Sequence, residues 1–131
     1  MDMTIELYAL LATALLILAL AFTASTLYGK QVGNPALMGN REQIEAPTGA
    51  AQRAVRAHLN LLENAVPFAI VVLTAQVLHV STPMTQAAAL VFIIVRVAHA
   101  AVYIAGITGA RTLLWLAGVA STVAIGLALI G

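Results

Sequence analysis

Long apolar stretches constrain the fold of this chain more than any other feature of its sequence. Residues 5–27 read IELYALLATALLILALAFTASTL and contain one charged side chain. This run is longer than the roughly 20 residues that a helix needs to cross the hydrocarbon core of a bilayer. Three further apolar stretches follow at about 54–80, 85–107 and 112–130. Each of the four is therefore predicted to be a membrane-spanning helix.

The composition points to the same class of protein. Only 8% of the 131 residues are charged and 62% are hydrophobic, whereas soluble proteins average roughly 25% charged residues. We predict an all-α integral membrane four-helix bundle that forms a single domain over residues 1–131. The start carries Asp2 and Glu6 rather than positive charges, so the first stretch is expected to be a retained span and not a signal peptide. The chain has no cysteine, which excludes disulfides, thiolate metal sites and a cysteine nucleophile.

The positions of the basic residues predict an orientation. Lys30, Arg41, Arg53 and Arg56 lie in or beside the first loop, and Arg111 lies in the third. Basic residues favour the cytoplasmic side of a membrane. The long first loop is therefore expected in the cytoplasm, with both termini on the opposite side. The compact, alanine-rich chain leads us to expect a bacterial inner membrane.

Two local patterns bear on the shapes of the helices. Thr82 and Pro83 suit the start of the third long helix, after a tight turn. In the fourth span Gly118, Thr122 and Gly126 recur every four residues. Such a face of small residues lets helices approach closely, and it predicts tight helix packing.

One face of the second span is polar. At about 100° per residue, five residues fall within a stripe of roughly 80°: Arg53, Arg56, Asn60, Glu63 and Pro67. His58 points to the far side of the same helix. A helix that carries guanidinium, amide and carboxylate groups into lipid must turn them toward protein or a wet cavity. The stripe is therefore a candidate site.

The third span carries a matching polar face. Arg96, His99 and Tyr103 form a stripe of roughly 60°. Glu63 is expected about 12 Å below the cytoplasmic end of its helix, and Arg96 and His99 about 12–16 Å below the end of theirs. We predict that Glu63 and Arg96 pair, within a chain or across an oligomer interface. A helix-packing clamp is the structural alternative for this pair, and His99 is expected to be a hydrogen-bonded packing residue.

Arginines beside a carboxylate and a phenol suit a small anionic ligand that carries carboxylates and an ammonium group, because guanidinium groups bind carboxylates through paired hydrogen bonds. No metal triad, phosphate-binding loop or serine nucleophile constellation accompanies them in the sequence. A small drug transporter with Glu63 as its proton-coupled site is a further possibility, disfavoured by the number of arginines near the surface.

The sequence RAVRAHLNLLENAVPF at residues 53–68, RVAHAAVY at residues 96–103 and the following Arg111 resemble the MAPEG family, the membrane-associated proteins in eicosanoid and glutathione metabolism. The resemblance is particularly to its microsomal prostaglandin E synthase and glutathione transferase members. It implies a homotrimer of four-helix subunits that binds glutathione near the cytoplasmic side, between helices of neighbouring subunits.

The resemblance also implies roles for individual residues. The residues that match the glutathione-contacting or site-shaping positions of the family are Arg53, Arg56, His58, Asn60, Glu63, Arg96 and Tyr103. Arg111 resembles the arginine that stabilises the glutathione thiolate and is the expected catalytic residue. Thr112 departs from the serine that follows this arginine in the prostaglandin synthase, which leaves the substrate unassigned.

The function expected from this resemblance is a glutathione-dependent transferase or peroxidase that acts on a lipophilic electrophile from the bilayer. The alternative is a non-catalytic membrane scaffold or lipid-binding member of the same family. Glutathione binding distinguishes the two.

Overall fold

The computed structural model describes residues 2–131, and these residues form five α-helices joined by turns and one loop. The helices are α1 (Ile5–Val32), α2 (Asn34–Met38), α3 (Gly49–Val77), α4 (Pro83–Ala105) and α5 (Thr108–Ile130). All except α2 are long and apolar enough to cross a membrane. The predicted fold class, an all-α four-helix membrane bundle, is confirmed.

The ends of the helices follow from local chemistry. Thr82 is the N-cap of α4, its hydroxyl accepts from the backbone N–H of Thr85, and Pro83 occupies the first turn. This confirms the predicted start, because a capping hydroxyl and an early proline satisfy or remove N–H groups that have no partner inside the helix. At the other end, α4 stops at Gly106, whose φ of 83° is in the left-handed region that favours glycine.

The first loop is shorter than predicted. The sequence placed the flanking helices at 5–27 and 54–80, but α1 continues to Val32 and α3 begins at Gly49, with α2 between them. Hydropathy marks where apolar residues stop, whereas a helix continues as long as its backbone hydrogen bonds do. The end of the loop is fastened to α1, because the Gln31 side chain donates to Ala46 O and accepts from Thr48 N, both at 2.9 Å.

The four long helices pack around a diagonal formed by α3 and α4. α1 contacts α3 and α4, and α5 contacts the same two helices from the other side. One core cluster includes Phe68 and Phe92, whose rings stack with centroids 3.8 Å apart. The second cluster includes Ala57, Leu61 and Ala100. Alanines allow the backbones to approach closely, which is the usual basis of helix packing in lipid.

The small-residue face of α5 packs within the subunit. A Cβ atom on Gly118 would lie 3.3 Å from Cδ of Arg96, and one on Gly126 would lie 3.6 Å from a methyl carbon of Val71. The close packing predicted for this face is therefore confirmed. Its partners are α4 and α3 of the same chain.

Candidate functional site

A polar pocket opens between α3, α4 and α5, close to the corner where α4 turns into α5. Its volume is about 190 Å³. The residues that line it are Asn60, His99, Tyr103, Arg111, Thr112 and Trp115. We refer to it as the arginine-end pocket. It brings together residues from both predicted polar stripes and from the start of the last helix.

Arg96 lies behind this pocket in the interior of the bundle. The residue is 1% exposed, and its Nη2 donates to Oδ1 of Asn60 at 2.6 Å. Its Nε and Nη1 have no hydrogen-bond partner among residues 2–131. A buried cation with unmet donors is costly, because an arginine in the middle of a span already costs about 2.5–3.5 kcal/mol on insertion scales. The arrangement leaves donor capacity for an anion or for water.

The predicted pairing of Glu63 with Arg96 within one subunit is wrong. The only nitrogen of Arg96 that is hydrogen-bonded within the described chain contacts Asn60, one turn before Glu63. Glu63 is exposed. A difference of three residues turns a side chain by roughly 60° around the helix axis, so Asn60 and Glu63 do not face α4 equally. Pairing across an oligomer interface stays a prediction.

Arg111 is held over the pocket by an aromatic ring. Its Cζ lies 4.5 Å from the ring centroid of Tyr103, within the range of a cation–π interaction. The ring of His99 meets the same tyrosine edge-on, with centroids 5.5 Å apart. His99 is 2% exposed, and its Nδ1 has no partner in the described part of the chain. Tyr103 therefore contacts both His99 and Arg111, and all three side chains line the pocket.

Arg53 does not line the arginine-end pocket. Instead its Nε donates to the backbone carbonyl of Ile104 at 2.8 Å. Ile104 is in the last turn of α4, where carbonyl groups lack a partner inside the helix. The structure thus gives Arg53 a helix-capping contact.

The other expected ligand contacts on α3 also lie outside the pocket. Arg56 and Glu63 are exposed, and His58 is half-buried. None of the three lines the arginine-end pocket. Glu63 is the middle residue of the 29-residue helix α3. A charged side chain at that depth needs contact with protein or water, since lipid does not solvate it.

Several residues of the site were not predicted as ligand contacts. His99 was interpreted as a packing residue although it belongs to the polar stripe of α4. Trp115 follows Arg111 by four residues, which places both on one face of α5. Asn64 donates to Asn60 Oδ1 at 3.4 Å, and its signal was the same four-residue spacing. Asn64 and Trp115 lie outside the two polar stripes that were defined from the sequence.

A second polar cluster lies at the opposite end of the bundle. The carboxylate of Glu6, a residue that is 1% exposed, accepts from the hydroxyl of Ser81 at 3.0 Å and from that of Thr85 at 2.5 Å. A pocket of about 290 Å³ adjoins Ser81 and also contacts Asp2 and His79. This pocket is larger than the arginine-end pocket. Both oxygens of the carboxylate behind it nevertheless have a hydrogen-bond partner within the chain.

Across positions 2–131, no group of three or more histidine, aspartate or glutamate side chains is placed to hold a metal ion. The side chains that line the arginine-end pocket supply hydrogen-bonding groups and the positive charge of Arg111.

Comparison with known proteins agrees with the motifs. The family model described as MAPEG family matches residues 5–131. The match covers all four long helices and every residue of the arginine-end pocket. A search of curated proteins finds no match for the chain.

Proposed function

This chain belongs to the MAPEG family, and from that premise we propose that it is a glutathione-dependent transferase or peroxidase acting on a lipophilic electrophile. Membership of the family suggests a membrane function of the glutathione-related transferase or isomerase type. The finer assignment is based on the chemistry of the pocket.

One observation supports the proposal: His99 in the lining of the arginine-end pocket and Arg96, bonded to the lining residue Asn60, are buried and carry nitrogens without hydrogen-bond partners among the described residues. Two nitrogens of Arg96 and one of His99 are unmet within residues 2–131. Buried polar groups are normally paired, and an unmet one costs about 1–3 kcal/mol. A ligand that supplies carboxylate oxygens would remove this cost. Glutathione carries two carboxylates.

The pocket of one subunit accounts for only part of glutathione. Its lining includes no carboxylate for the ammonium group, and its volume of about 190 Å³ is below the roughly 300–1,000 Å³ of small-molecule sites. Arg56 and Glu63 are exposed on the surface of α3. We propose that they complete the pocket of a neighbouring copy in a homotrimer, where Glu63 binds the ammonium group.

Arg111 is the proposed catalytic residue. Its guanidinium lies at the pocket, where a positive charge stabilises a thiolate relative to the thiol. Bound glutathione would release its thiol proton to water, and the sulfur would then form a bond to the electrophile while the leaving group departs with the electron pair of the broken bond. Trp115 lines the same pocket and is 37% exposed. It provides an apolar edge along which a substrate dissolved in the bilayer approaches the sulfur.

Calorimetry of the purified protein with glutathione tests the proposal. We expect saturable binding, with a matched control in which the S-methyl derivative binds without titrating a thiol. Absence of binding would favour the non-catalytic scaffold or lipid-binding alternative. Proton-driven efflux from reconstituted vesicles, together with absent binding, would favour the transporter.

The oligomeric part of the proposal has its own test. Native mass spectrometry in a mild detergent should show three copies of the 13.6 kDa chain. Replacing Glu63 by Leu should then weaken glutathione binding while leaving the contacts inside each subunit unchanged. A monomer that binds glutathione with full affinity would contradict the shared site.

A further inference from the structure

Arg53 makes a contact whose consequences reach the pocket although the residue lies outside it. Its Nε donates to Ile104 O at 2.8 Å, across 51 positions of sequence. The side chain is half-buried. The contact joins the first turns of α3 to the last turn of α4.

The same side chain covers the corner between α4 and α5. A Cβ atom on Gly106 would lie 3.6 Å from Nε of Arg53 and 3.9 Å from its Cδ. The glycine N–H in turn donates to Tyr103 O at 3.1 Å, and Ile107 N donates to Val102 O at 2.9 Å. The corner is therefore closed by its own backbone hydrogen bonds, with Arg53 packed on its outside.

The corner sets the relative position of two residues of the pocket. Tyr103 precedes Gly106 by three residues, and Arg111 follows it by five. The cation–π contact between them, at 4.5 Å, spans the corner. A small rotation of α5 against α4 would move the guanidinium off the ring face.

We propose that Arg53 is a positioning residue, which clasps the α4–α5 corner and thereby fixes Arg111 over the ring of Tyr103 at the pocket. This inference rests on the proposed function for its kinetic meaning, but the clasp itself is independent of any ligand. It replaces the direct glutathione contact that the resemblance implied for Arg53. Because the acceptor is a helix-terminal carbonyl, the essential feature of Arg53 is the donor at Nε and not the charge alone.

Three variants distinguish the hydrogen-bond donor of Arg53, its positive charge and the effect of losing any cation. Arg53→Met removes the donor and the charge but keeps the apolar stem. Arg53→Lys keeps the charge without a donor at the Nε position, since lysine lacks the planar guanidinium. Lys30→Met is the matched control, because Lys30 is an exposed cation in the last turn of α1 and has no part in the corner.

The first readout needs no ligand. Trp115 is the single tryptophan and lines the pocket, so its fluorescence reports the placement of α5. Arg53→Met and Arg53→Lys should both shift its emission or its quenching by iodide, whereas Lys30→Met should leave both unchanged. Identical spectra in all four proteins would overturn the clasp, whether or not glutathione binds.

The second readout is the thiol pKa of bound glutathione, followed by ultraviolet thiolate absorbance against pH. Both Arg53 variants should reduce the thiolate-to-thiol ratio at a fixed pH by about tenfold, which is one pKa unit. In an Arg111→Ala background, replacing Arg53 should change the ratio by less than about twofold, because coupled residues are not additive. Weaker binding with an unchanged thiol pKa would make Arg53 a direct anion contact and overturn the inference. If the parent protein does not bind glutathione, the proposed function fails, and the fluorescence comparison alone decides the clasp.

Discussion

The two ends of the bundle each bury a charged residue, but they satisfy it differently. At one end the Glu6 carboxylate accepts hydrogen bonds from Ser81 and Thr85. At the other end Arg96 makes a single hydrogen bond, to Asn60, and two of its nitrogens are unmet within residues 2–131. A satisfied buried charge connects helices, whereas an unsatisfied one is poised for a ligand. We therefore expect a structural role for the Glu6 end and propose a binding role for the arginine end.

Replacing Arg96 by Met should have the largest effect on glutathione binding. Loss of two free charged donors, each worth about 1.5–3 kcal/mol in a hydrogen bond, should weaken glutathione binding by about a hundredfold or more. Thermal stability in detergent should not fall, because an apolar side chain of similar length removes a buried charge that has one hydrogen bond and two unpaired nitrogens within residues 2–131. Calorimetry and thermal unfolding measure the two effects. A variant that binds normally but unfolds earlier would make Arg96 the packing clamp considered from sequence.

Replacing Glu6 by Leu should have the opposite pattern. The hydroxyls of Ser81 and Thr85 lose their acceptor, so the unfolding free energy should fall by about 1–3 kcal/mol. Glutathione affinity should change by less than about twofold, since distant sites act independently. Asp2→Asn is the control at the same end, because Asp2 is exposed and its replacement should cost at most about 0.5 kcal/mol. A large loss of affinity in Glu6→Leu would show that the two ends are coupled.

Replacing Arg111 by Ala should distinguish residues that bind glutathione from the residue that ionises its thiol. Removing one of several anion contacts costs about 1–2 kcal/mol, so binding should weaken by no more than about tenfold. The thiolate fraction of bound glutathione should fall further than this, as followed by ultraviolet absorbance against pH. An unchanged thiol pKa would reduce Arg111 to a topology anchor.

The smallest expected effect compares two glycines on one face of α5. Gly118→Ala places a methyl group 3.3 Å from Arg96 Cδ, tighter than ordinary contact, whereas Gly126→Ala meets Val71 at an ordinary 3.6 Å. The first should shift Arg96 and weaken glutathione binding by about threefold, on the scale of modest overpacking in a well-packed interior. The second should leave binding intact and stabilise the helix by up to about 1 kcal/mol. Equal glutathione binding by both variants would show that Gly118 does not set the position of Arg96.

Features set by local chemistry could be predicted from the sequence. The four long apolar helices and the start of α4 at Thr82 and Pro83 follow from hydropathy and capping, which need only neighbouring residues. The polar stripe of α4 also held, since Arg96 is buried behind the pocket that His99 and Tyr103 line. Helical periodicity is sufficient to place residues on one face.

Features that depend on helix rotation or on contacts between distant residues could not be predicted from the sequence. The choice between Asn60 and Glu63 as partner of Arg96 depends on a rotation that depth does not determine. Glu6 meets residues 75 and 79 positions away, and this requires knowing that α1 packs beside the start of α4. The sequence showed Glu6 only as the one charge at the start of the first span. Arg53 was likewise expected to contact the ligand. Its contact with Ile104 was missed because the acceptor is a backbone carbonyl, which leaves no trace in side-chain patterns.

Because the end of the first loop is fastened to α1, a sequence inserted in this loop can be used to measure the topology of the chain in the membrane. Gln31 already holds Ala46 and Thr48 in place, so the loop ends stay together whatever lies between them. Doubling the length of a closed loop costs only about 0.6 kcal/mol. A protease cleavage sequence inserted between Gly39 and Asn40, both exposed, should therefore leave the bundle intact. Cleavage in sealed vesicles of known orientation would then report directly which side of the membrane the arginine end faces.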